Sequence, residues 1–307
     1  MSNKRGNESH MANPDEDIDA ILITGPTASG KSALAVRLAQ QVDGVVINTD
    51  SMQVYDTLRV LTARPADPDM QGVPHRLYGH VRALRAYSTG EWGRDVVPLL
   101  DEVRAAGKCP VFVGGTGLYF RALTGGLSDM PEISQEIRCR VRLRLKEEGA
   151  EALHAELSSL DASVAGGLKP NDGQRIVRAL EVLEETGRSI SAFQDSKGPM
   201  LIDPSRARKL VVLPDRQALA ERINRRFAQM LDQGAVEEVE RLLAADPPPD
   251  LPVMKAIGVR EIGDMLSGGM SRSQVIERAS AQTRQYAKRQ MTWFRNQLDE
   301  TWERVEP

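Results

Sequence analysis

Residues 25–32, Gly-Pro-Thr-Ala-Ser-Gly-Lys-Ser, constrain the fold of this chain more than any other stretch, because they match the Gly-x4-Gly-Lys-Ser/Thr pattern. The apolar run 20–24 before them predicts a buried strand, and the run 33–39 after them consists of good helix formers. A strand, a glycine loop and a helix N-terminus together present backbone N–H groups and the positive end of a helix dipole to an anion. The segment therefore predicts a phosphate-binding loop.

Every residue of this loop is a candidate phosphate ligand: Gly25, Pro26, Thr27, Ala28, Ser29, Gly30, Lys31 and Ser32. Lys31 adds a full positive charge, and the Ser32 hydroxyl is the predicted ligand of a Mg2+ ion. The alternative is a glycine turn that only joins a strand to a helix, but both spacing and context favour phosphate binding. The loop alone does not identify the phosphate compound.

Composition limits the class of protein. With 40 basic and 43 acidic residues, the formal net charge is −3, so the chain is not basic as a whole, although a local basic face would suffice for a nucleic acid. No apolar run is long enough to span a membrane, and the N-terminus has no signal-peptide pattern. Cys109 and Cys139 lack metal-ligand spacing, which is typical of thiols in a reducing compartment. We expect a cytoplasmic monomer without a membrane partner.

Two further apolar runs predict strands that end at polar or glycine residues. The run 45–49 leads into Asp50, and the run 110–113 leads into a glycine turn that contains Thr116. Working residues of open α/β sheets lie at the carboxyl ends of the strands, so both should face the phosphate-binding loop. Asp50 is a candidate Mg2+ ligand or general base; the alternative is a helix-capping or turn aspartate. The glycines of the turn could serve packing alone.

The order of elements predicts an α/β fold: a P-loop NTPase-like parallel sheet with flanking helices and an all-helical insertion domain. The alternation of strands and helices stops after residue 127, where helices are predicted at 133–149, 150–160 and 172–186, and a strand returns at 209–213. We expect a disordered tail at 1–17, a core formed by 18–127 and 206–307, and a helical insertion at 128–205.

Basic residues gather on three predicted helices. The segment 138–146 has five basic residues and no acidic one, and on the helix 273–298 Arg284 and Lys288 lie four residues apart. Gln174 and Arg178 have the same spacing on the helix 172–186, where Glu181 and Glu185 could pair with the arginines instead. A basic stripe fits a nucleic-acid backbone, but a solvated helix face explains the same pattern.

Six motifs in this order resemble the bacterial tRNA dimethylallyltransferases, also called tRNA isopentenyltransferases. The matching segments lie at 25–32, 50–55, 114–119, 170–175, 257–258 and 282–290 and span nearly the whole chain after the tail. A phosphate-binding loop alone is shared by many nucleotide-binding proteins, whereas the six motifs together are specific. The sequence departs from the family at Lys169, where a histidine is frequent, and at Val259, where a tyrosine is usual. Both departures concern tRNA contact more than chemistry.

The resemblance implies transfer of the dimethylallyl group from dimethylallyl diphosphate to the N6 amine of the adenine 3′ of the tRNA anticodon. The phosphate-binding loop would hold the diphosphate, and not ATP, with Mg2+; Asp50 would be the general base. Thr27, Lys31 and Arg222, with Arg226 as second choice, would stabilise the leaving diphosphate. The implied contacts with the anticodon stem-loop are Asp50, Ser51, Met52, Gln53, Thr116, Arg138, Gln174, Arg175, Ile176, Val177, Arg178, Lys255, Ala256, Ile257, Gly258, Val259 and Arg260, together with Arg284 and Lys288 of the basic helix.

Two other functions remain open at this point. A P-loop kinase for a small metabolite would explain the phosphate-binding loop and Asp50, but not the basic helices. A non-catalytic RNA-binding protein would explain the basic helices, but it gives Lys31, Ser32 and Asp50 no role.

Overall fold

A computed structural model describes residues 18–126, 128, 130–194 and 198–306. The chain divides into two compact units: a core unit, Met1–Thr124 with Leu201–Pro307, and an insertion unit, Gly125–Met200. The borders of the insertion unit lie somewhat earlier in the chain than the predicted 128 and 205. The reason is that the N–H groups of Leu201 and Ile202 both donate to the carbonyl of Leu123, which ties the returning chain to the core. The expected tail at 1–17 lies outside the described residues.

The core unit contains a six-stranded parallel sheet with the order β3-β2-β4-β1-β5-β6. Its strands are β1 (Ala20–Thr24), β2 (Gly44–Asn48), β3 (His75–Arg76), β4 (Cys109–Gly114), β5 (Ala207–Val212) and β6 (Glu303–Val305). All residues of β1 and β2 are buried, as expected for parallel strands covered on both faces. The central position of β1 places the loop that follows it in the middle of the sheet edge.

The core unit also contains helices, which pack on the sheet or on one another. They are α1 (Lys31–Gln41), α2 (Asp67–Met70), α3 (Thr89–Ala105), α4 (Gly117–Gly125), α10 (Arg216–Asp232), α11 (Ala235–Ala244), α12 (Val259–Leu266) and α13 (Arg272–Gln297), with 3₁₀ turns at Pro204–Arg206 and Pro252–Lys255. Side-chain caps fix several starts: the Ser88 hydroxyl accepts the Glu91 N–H at the start of α3, and the Asp215 carboxylate accepts two N–H groups of α10. In the part of the chain that the structure describes, no helix combines the length and apolar character needed to cross a bilayer.

The insertion unit is helical and has its own apolar core. It contains α5 (Gln135–Glu148), α6 (Ala150–Leu160), α7 (Ala162–Gly166), α8 (Gly173–Thr186) and α9 (Ile190–Gln194). Val141, Leu153, Leu157, Ile176 and Leu180 are almost completely buried in this core. Asp172 caps α8 by accepting the Arg175 N–H, and Gly187 ends it with a left-handed backbone. Helix-capping residues therefore set the ends of α8, and the apolar side chains of the helices form the core of the unit.

Candidate active site

The phosphate-binding loop occupies the turn between β1 and α1. Ala28 (φ 62°) and Gly30 (φ 88°) both adopt the left-handed conformation that a phosphate-binding nest requires. The Lys31 Nζ donates to the Pro26 carbonyl at 3.2 Å, so the lysine folds back over its own loop. Burial lowers the pKa of Lys31 to about 8; the charge of Asp50 opposes this shift, and Arg226 reinforces it. The loop thus holds a partly desolvated cation that an anion would stabilise.

Asp50 follows β2 and is held by a short network. Its backbone N–H donates to the Asn48 Oδ1 at 2.8 Å, and its own Oδ1 accepts the Met52 N–H at 2.9 Å. The Asn48 side chain in turn donates to the carbonyls of Asp50 and Leu77. The aspartate therefore does form a turn, as the alternative interpretation held, yet the second carboxylate oxygen accepts no hydrogen bond from any described residue.

A cavity of about 280 Å³ opens between the phosphate-binding loop, Asp50 and helices α10 and α13. Its polar lining includes Thr27, Asp50, Arg226, Lys255, Tyr286 and Arg289. Its apolar lining includes Leu61, Ile223, Phe227, Met230, Ala256 and Ile257. The cavity thus combines cations and a carboxylate with an extended hydrocarbon wall, an arrangement suited to a ligand with a charged end and an apolar end.

Helix α13 joins the loops that border this cavity. The Gln290 Oε1 accepts the Thr27 N–H at 3.0 Å, and the Gln290 Nε2 donates to the Gly115 carbonyl at 2.9 Å. The next residue of the glycine turn, Thr116, accepts the Ser51 N–H at 3.0 Å. A methyl group on Gly117 would lie 2.4 Å from the Trp293 ring, so α13 packs directly on the turn after β4. The three predicted strand-end loops therefore meet around one helix.

The two candidate arginines of α10 differ in position. Arg222, the first choice from the sequence, is exposed and does not line the cavity, whereas Arg226 is partly buried and does. Burial lowers the pKa of Arg226 and the charge of Asp50 opposes that shift, which places its guanidinium among the charged groups of the site. Because Arg222 and Arg226 are four residues apart, they share a face of α10 and differ in position along its axis. The turn that contains Arg226, Phe227 and Met230 borders the cavity, whereas Arg222 lies one turn earlier.

The long C-terminal helix contributes residues that the sequence did not identify. Thr283, Tyr286 and Arg289 line the cavity, and the Arg289 guanidinium lies 5.6 Å from the centre of the Tyr286 ring. All three lie in the family motif 282–290 and recur at a spacing of three residues, but an i, i+3 repeat also fits an ordinary packing face. The predicted basic pair, Arg284 and Lys288, is exposed on another face, where Arg284 donates to the Asn224 side chain.

The predicted basic face of α5 is largely neutralised within the insertion unit. Arg140 pairs with Glu136 and Glu184, and Arg144 contacts glutamates of three helices. Arg142 lies 3.4 Å from Glu181, which also lies 3.7 Å from Arg178. The unbroken basic run therefore does not form a free cationic stripe, because α6 and α8 bring acidic residues against it.

Arg138, on the same helix, differs from these arginines. It forms no ion pair with any described residue, and its Nε is buried without a hydrogen-bond partner.

Three of the predicted tRNA contacts have side chains that are buried inside the protein. Ile176 and Val177 lie in the apolar core of the insertion unit, and Val259 is fully buried at the start of α12. Each helix turns these apolar side chains inward while the polar neighbours face solvent, so the three predicted contacts stay predictions for the backbone only. The neighbouring residues that remain exposed are Gln174, Arg175, Lys255 and Arg260.

The remaining predicted contacts lie close to the cavity. Ser51, Met52, Ala256 and Ile257 line it, and Gly258 begins α12 with φ 102°. Gln53 has a supporting role, because its side chain donates to the carbonyls of Thr62 and Ala63 in the same loop.

Two family models and several curated proteins are similar to this chain in sequence. The family model IPP transferase matches residues 53–297, and the model Isopentenyl transferase matches residues 18–87. The tRNA dimethylallyltransferase of Allorhizobium ampelinum is 68% identical over 297 residues, covering 97% of this chain and 98% of that protein. The protein of the same name from Agrobacterium fabrum is 66% identical, covering 97% of this chain and 100% of its own length.

Solved structures agree in fold. The full-length tRNA isopentenylpyrophosphate transferase of Bacillus halodurans has a TM-score of 0.67 and 32% identity, with 94% of this chain and 89% of that chain covered. A eukaryotic dimethylallyltransferase described as acting on tRNA has a TM-score of 0.80 and 27% identity, with 94% and 74% covered. Together with the parallel sheet, these likenesses confirm the predicted α/β, P-loop NTPase-like fold class.

Proposed function

This chain belongs to the IPP transferase family, and we propose that it is a tRNA dimethylallyltransferase. The reaction moves the dimethylallyl group from dimethylallyl diphosphate to the exocyclic N6 amine of the adenine 3′-adjacent to the anticodon, and releases diphosphate. One observation carries this proposal: a single cavity is bordered by the phosphate-binding loop, the Asp50 carboxylate and an apolar wall. A branched hydrocarbon diphosphate matches those three features together.

Charge determines the orientation of the donor in this cavity. The diphosphate lies against the loop N–H groups, Lys31 and Arg226, and the dimethylallyl group lies along Leu61, Ile223 and Phe227. The desolvated Lys31 favours an anion strongly, because binding restores the charged form that burial disfavours. The apolar wall gains from burying hydrocarbon at roughly 25 cal/mol per Å².

Asp50 is the general base that accepts a proton from the acceptor amine. The adenine N6 attacks C1 of the dimethylallyl group, the C1–O bond to the diphosphate breaks, and the amine loses one proton. The oxygen of Asp50 that is free of hydrogen bonds from described residues accepts that proton. Meanwhile Lys31 and Arg226 stabilise the charge that gathers on the departing diphosphate.

The residues at the loop also fit a Mg2+ ion. In the described parts of the chain, no three His, Cys, Asp or Glu residues cluster as a metal site. Ser32 is exposed at the start of α1, beside the loop that would hold the diphosphate. Mg2+ often binds through one or two protein oxygens together with substrate phosphates and water, and the Ser32 hydroxyl would supply such an oxygen. When bound, the ion would supply charge neutralisation for the diphosphate.

The tRNA anticodon loop reaches the cavity as a single strand. We propose that basic side chains contact its phosphates: the exposed Lys255, Arg260, Arg284 and Lys288 in the core unit, and the exposed Arg175 and partly buried Arg138 in the insertion unit. The target adenine must leave its stack to approach Asp50, and Tyr286 at the cavity lining offers an aromatic surface to an extruded base.

A mass-spectrometric transfer assay tests the proposal. Unmodified tRNA is incubated with the protein, Mg2+ and either dimethylallyl diphosphate or ATP, and we expect a five-carbon mass gain on the target adenosine with dimethylallyl diphosphate only. Asp50→Asn should retain tRNA binding and the hydrogen bond from the Met52 N–H, but lose transfer. Asp101→Asn, an exposed change on α3, is the control. ATP consumption that depends on a small metabolite, without mass gain, would favour the kinase instead.

A further inference from the structure

We propose that Gln290 is a positioning residue, which fixes the distance between the loop that holds the donor diphosphate and the loop that carries the general base. The inference rests on the proposed function for its catalytic consequence, but its structural part can be tested without turnover. Gln290 lies in the second half of α13, far along the chain from both loops. It is the last residue of the family motif 282–290, but the predicted site assigns it no role.

The Gln290 side-chain amide makes two hydrogen bonds to backbone groups of different loops. Its oxygen accepts the Thr27 N–H at 3.0 Å, across 263 residues of sequence, and its nitrogen donates to the Gly115 carbonyl at 2.9 Å, across 175 residues. The residue is only 5% exposed, so water does not readily replace either partner. One amide thereby satisfies a donor of the phosphate-binding loop and an acceptor of the turn after β4.

The second hydrogen bond continues to the general base through two short steps. Thr116, next to Gly115, donates its N–H to the Thr49 carbonyl at 3.2 Å and accepts the Ser51 N–H at 3.0 Å. Thr49 and Ser51 are the residues on either side of Asp50. The backbone that carries the carboxylate is therefore attached to the glycine turn, and the glycine turn is attached to Gln290.

The turn after β4 and helix α13 are closely packed at this bridge. A methyl group on Gly115 would lie 2.2 Å from the Gln290 nitrogen, and one on Gly117 would overlap the Trp293 ring. The turn therefore consists of glycines where α13 approaches it, which lets the amide reach the backbone directly. The same helix presents Tyr286 and Arg289 to the cavity, so its register also places part of the wall.

This arrangement matters for a reaction in which three groups must align. The amine must attack C1 opposite the leaving oxygen while a proton passes to Asp50, so the diphosphate and the carboxylate need a fixed separation. Errors of about 1 Å in such an alignment reduce rates by roughly 100-fold. An amide that binds both loops at once supplies that separation from a single rigid helix.

Gln290→Met tests the inference, because methionine keeps the length and burial of the side chain and removes both hydrogen bonds. Gln285→Met, an exposed change on the same helix, is the matched control. We expect Gln290→Met to lower kcat at least tenfold, with tRNA Kd changed less than twofold and KM for dimethylallyl diphosphate raised less than kcat falls. A decrease in kcat of less than tenfold would overturn the positioning role.

Amide hydrogen exchange supplies the readout that does not need turnover. In Gln290→Met, residues 25–30 and 114–117 should both exchange at least tenfold faster, while β1 is unchanged. Faster exchange in only one loop, or in neither, would refute the bridge. If the wild-type chain fails to prenylate tRNA, the proposed function fails, but the exchange result still decides whether Gln290 joins the loops.

Gln290→Glu keeps the proposal testable if the methionine variant does not fold. A carboxylate still accepts the Thr27 N–H, but it cannot donate to the Gly115 carbonyl. We therefore expect faster exchange in residues 114–117 and unchanged exchange in residues 25–30. Equal effects on both loops would contradict the assignment of the two hydrogen bonds.

Discussion

Glu238 on α11 offers a sharp test of how the cavity wall is held. Its carboxylate is buried and accepts three consecutive backbone N–H groups, from Arg59 at 3.1 Å, Val60 at 2.7 Å and Leu61 at 3.0 Å. These residues lie in the loop that supplies Leu61 to the apolar wall. Glu238→Gln keeps the size of the side chain but replaces one oxygen with an NH2 group, which cannot accept a hydrogen bond.

The expected loss follows from the number of acceptors. Whichever way the new amide turns, at least one N–H group of the loop faces another donor. A hydrogen bond to a charged group contributes about 1.5–3 kcal/mol, and an unsatisfied buried N–H costs about 1–3 kcal/mol. Because these terms overlap, we expect a loss of about 3 kcal/mol in the free energy of unfolding. For a unit of this size that corresponds to a Tm decrease of about 6–12 °C.

Glu237→Gln is the control, because Glu237 is exposed and lies in the same first turn of α11. Both variants lose a favourable charge at the helix N-terminus, about 0.3–1 kcal/mol, so their difference reports the three hydrogen bonds. Thermal unfolding followed by circular dichroism measures both. Melting temperatures of the two variants within about 2 °C of each other would refute the reasoning, since the bonds would then contribute no more than the dipole.

Three further predictions concern charge. Because burial lowers the pKa of Lys31 to about 8 and a bound diphosphate raises it again, binding takes up a proton between the two pKa values. Affinity for dimethylallyl diphosphate should therefore fall as pH rises above about 8, and Lys31→Arg should remove that decline in calorimetric titrations; a flat wild-type profile would contradict it. Arg226→Gln should lower kcat by about 100-fold and Arg222→Gln by clearly less; equal losses would restore Arg222 as the main diphosphate ligand. Arg138→Ala should reduce the salt dependence of tRNA binding by about one counterion, whereas Arg140→Ala, which removes an ion-paired side chain, should leave that dependence unchanged. Indistinguishable salt slopes for the two variants would remove Arg138 from the interface.

Local signals were sufficient for most of the fold. The strand predicted at 20–24 is β1 itself, and the loop predicted at 25–32 leads into α1 at Lys31. The edge strands β3 and β6 were missed, because two or three residues give no measurable alternation, and their pairing depends on neighbours distant in sequence. Helix α11 was also missed, since its apolar face is shorter than the windows that reveal periodicity.

The site was predictable where a residue follows a strand and less so where it lies on a helix. Asp50 and Thr116 were identified from their positions at strand ends, which the parallel sheet brings together. Choosing Arg226 over Arg222 requires knowing which turn of α10 borders the cavity, and recognising Gln290 requires the packing register of α13. The ion pairs of Arg140 depend on helices that lie apart in sequence. Tertiary arrangement, and not residue type, decided these cases.

The way the chain returns from its helical insertion has a consequence for how such enzymes can diversify. Because the Leu123 carbonyl accepts the N–H groups of both Leu201 and Ile202, the entry and exit points of the insertion are held together by the core itself. The entropy of closing a loop grows only slowly with its length, so the sheet tolerates a segment of almost any size between those points. Lineages can therefore exchange, enlarge or trim the inserted module while the chemistry of the core stays intact.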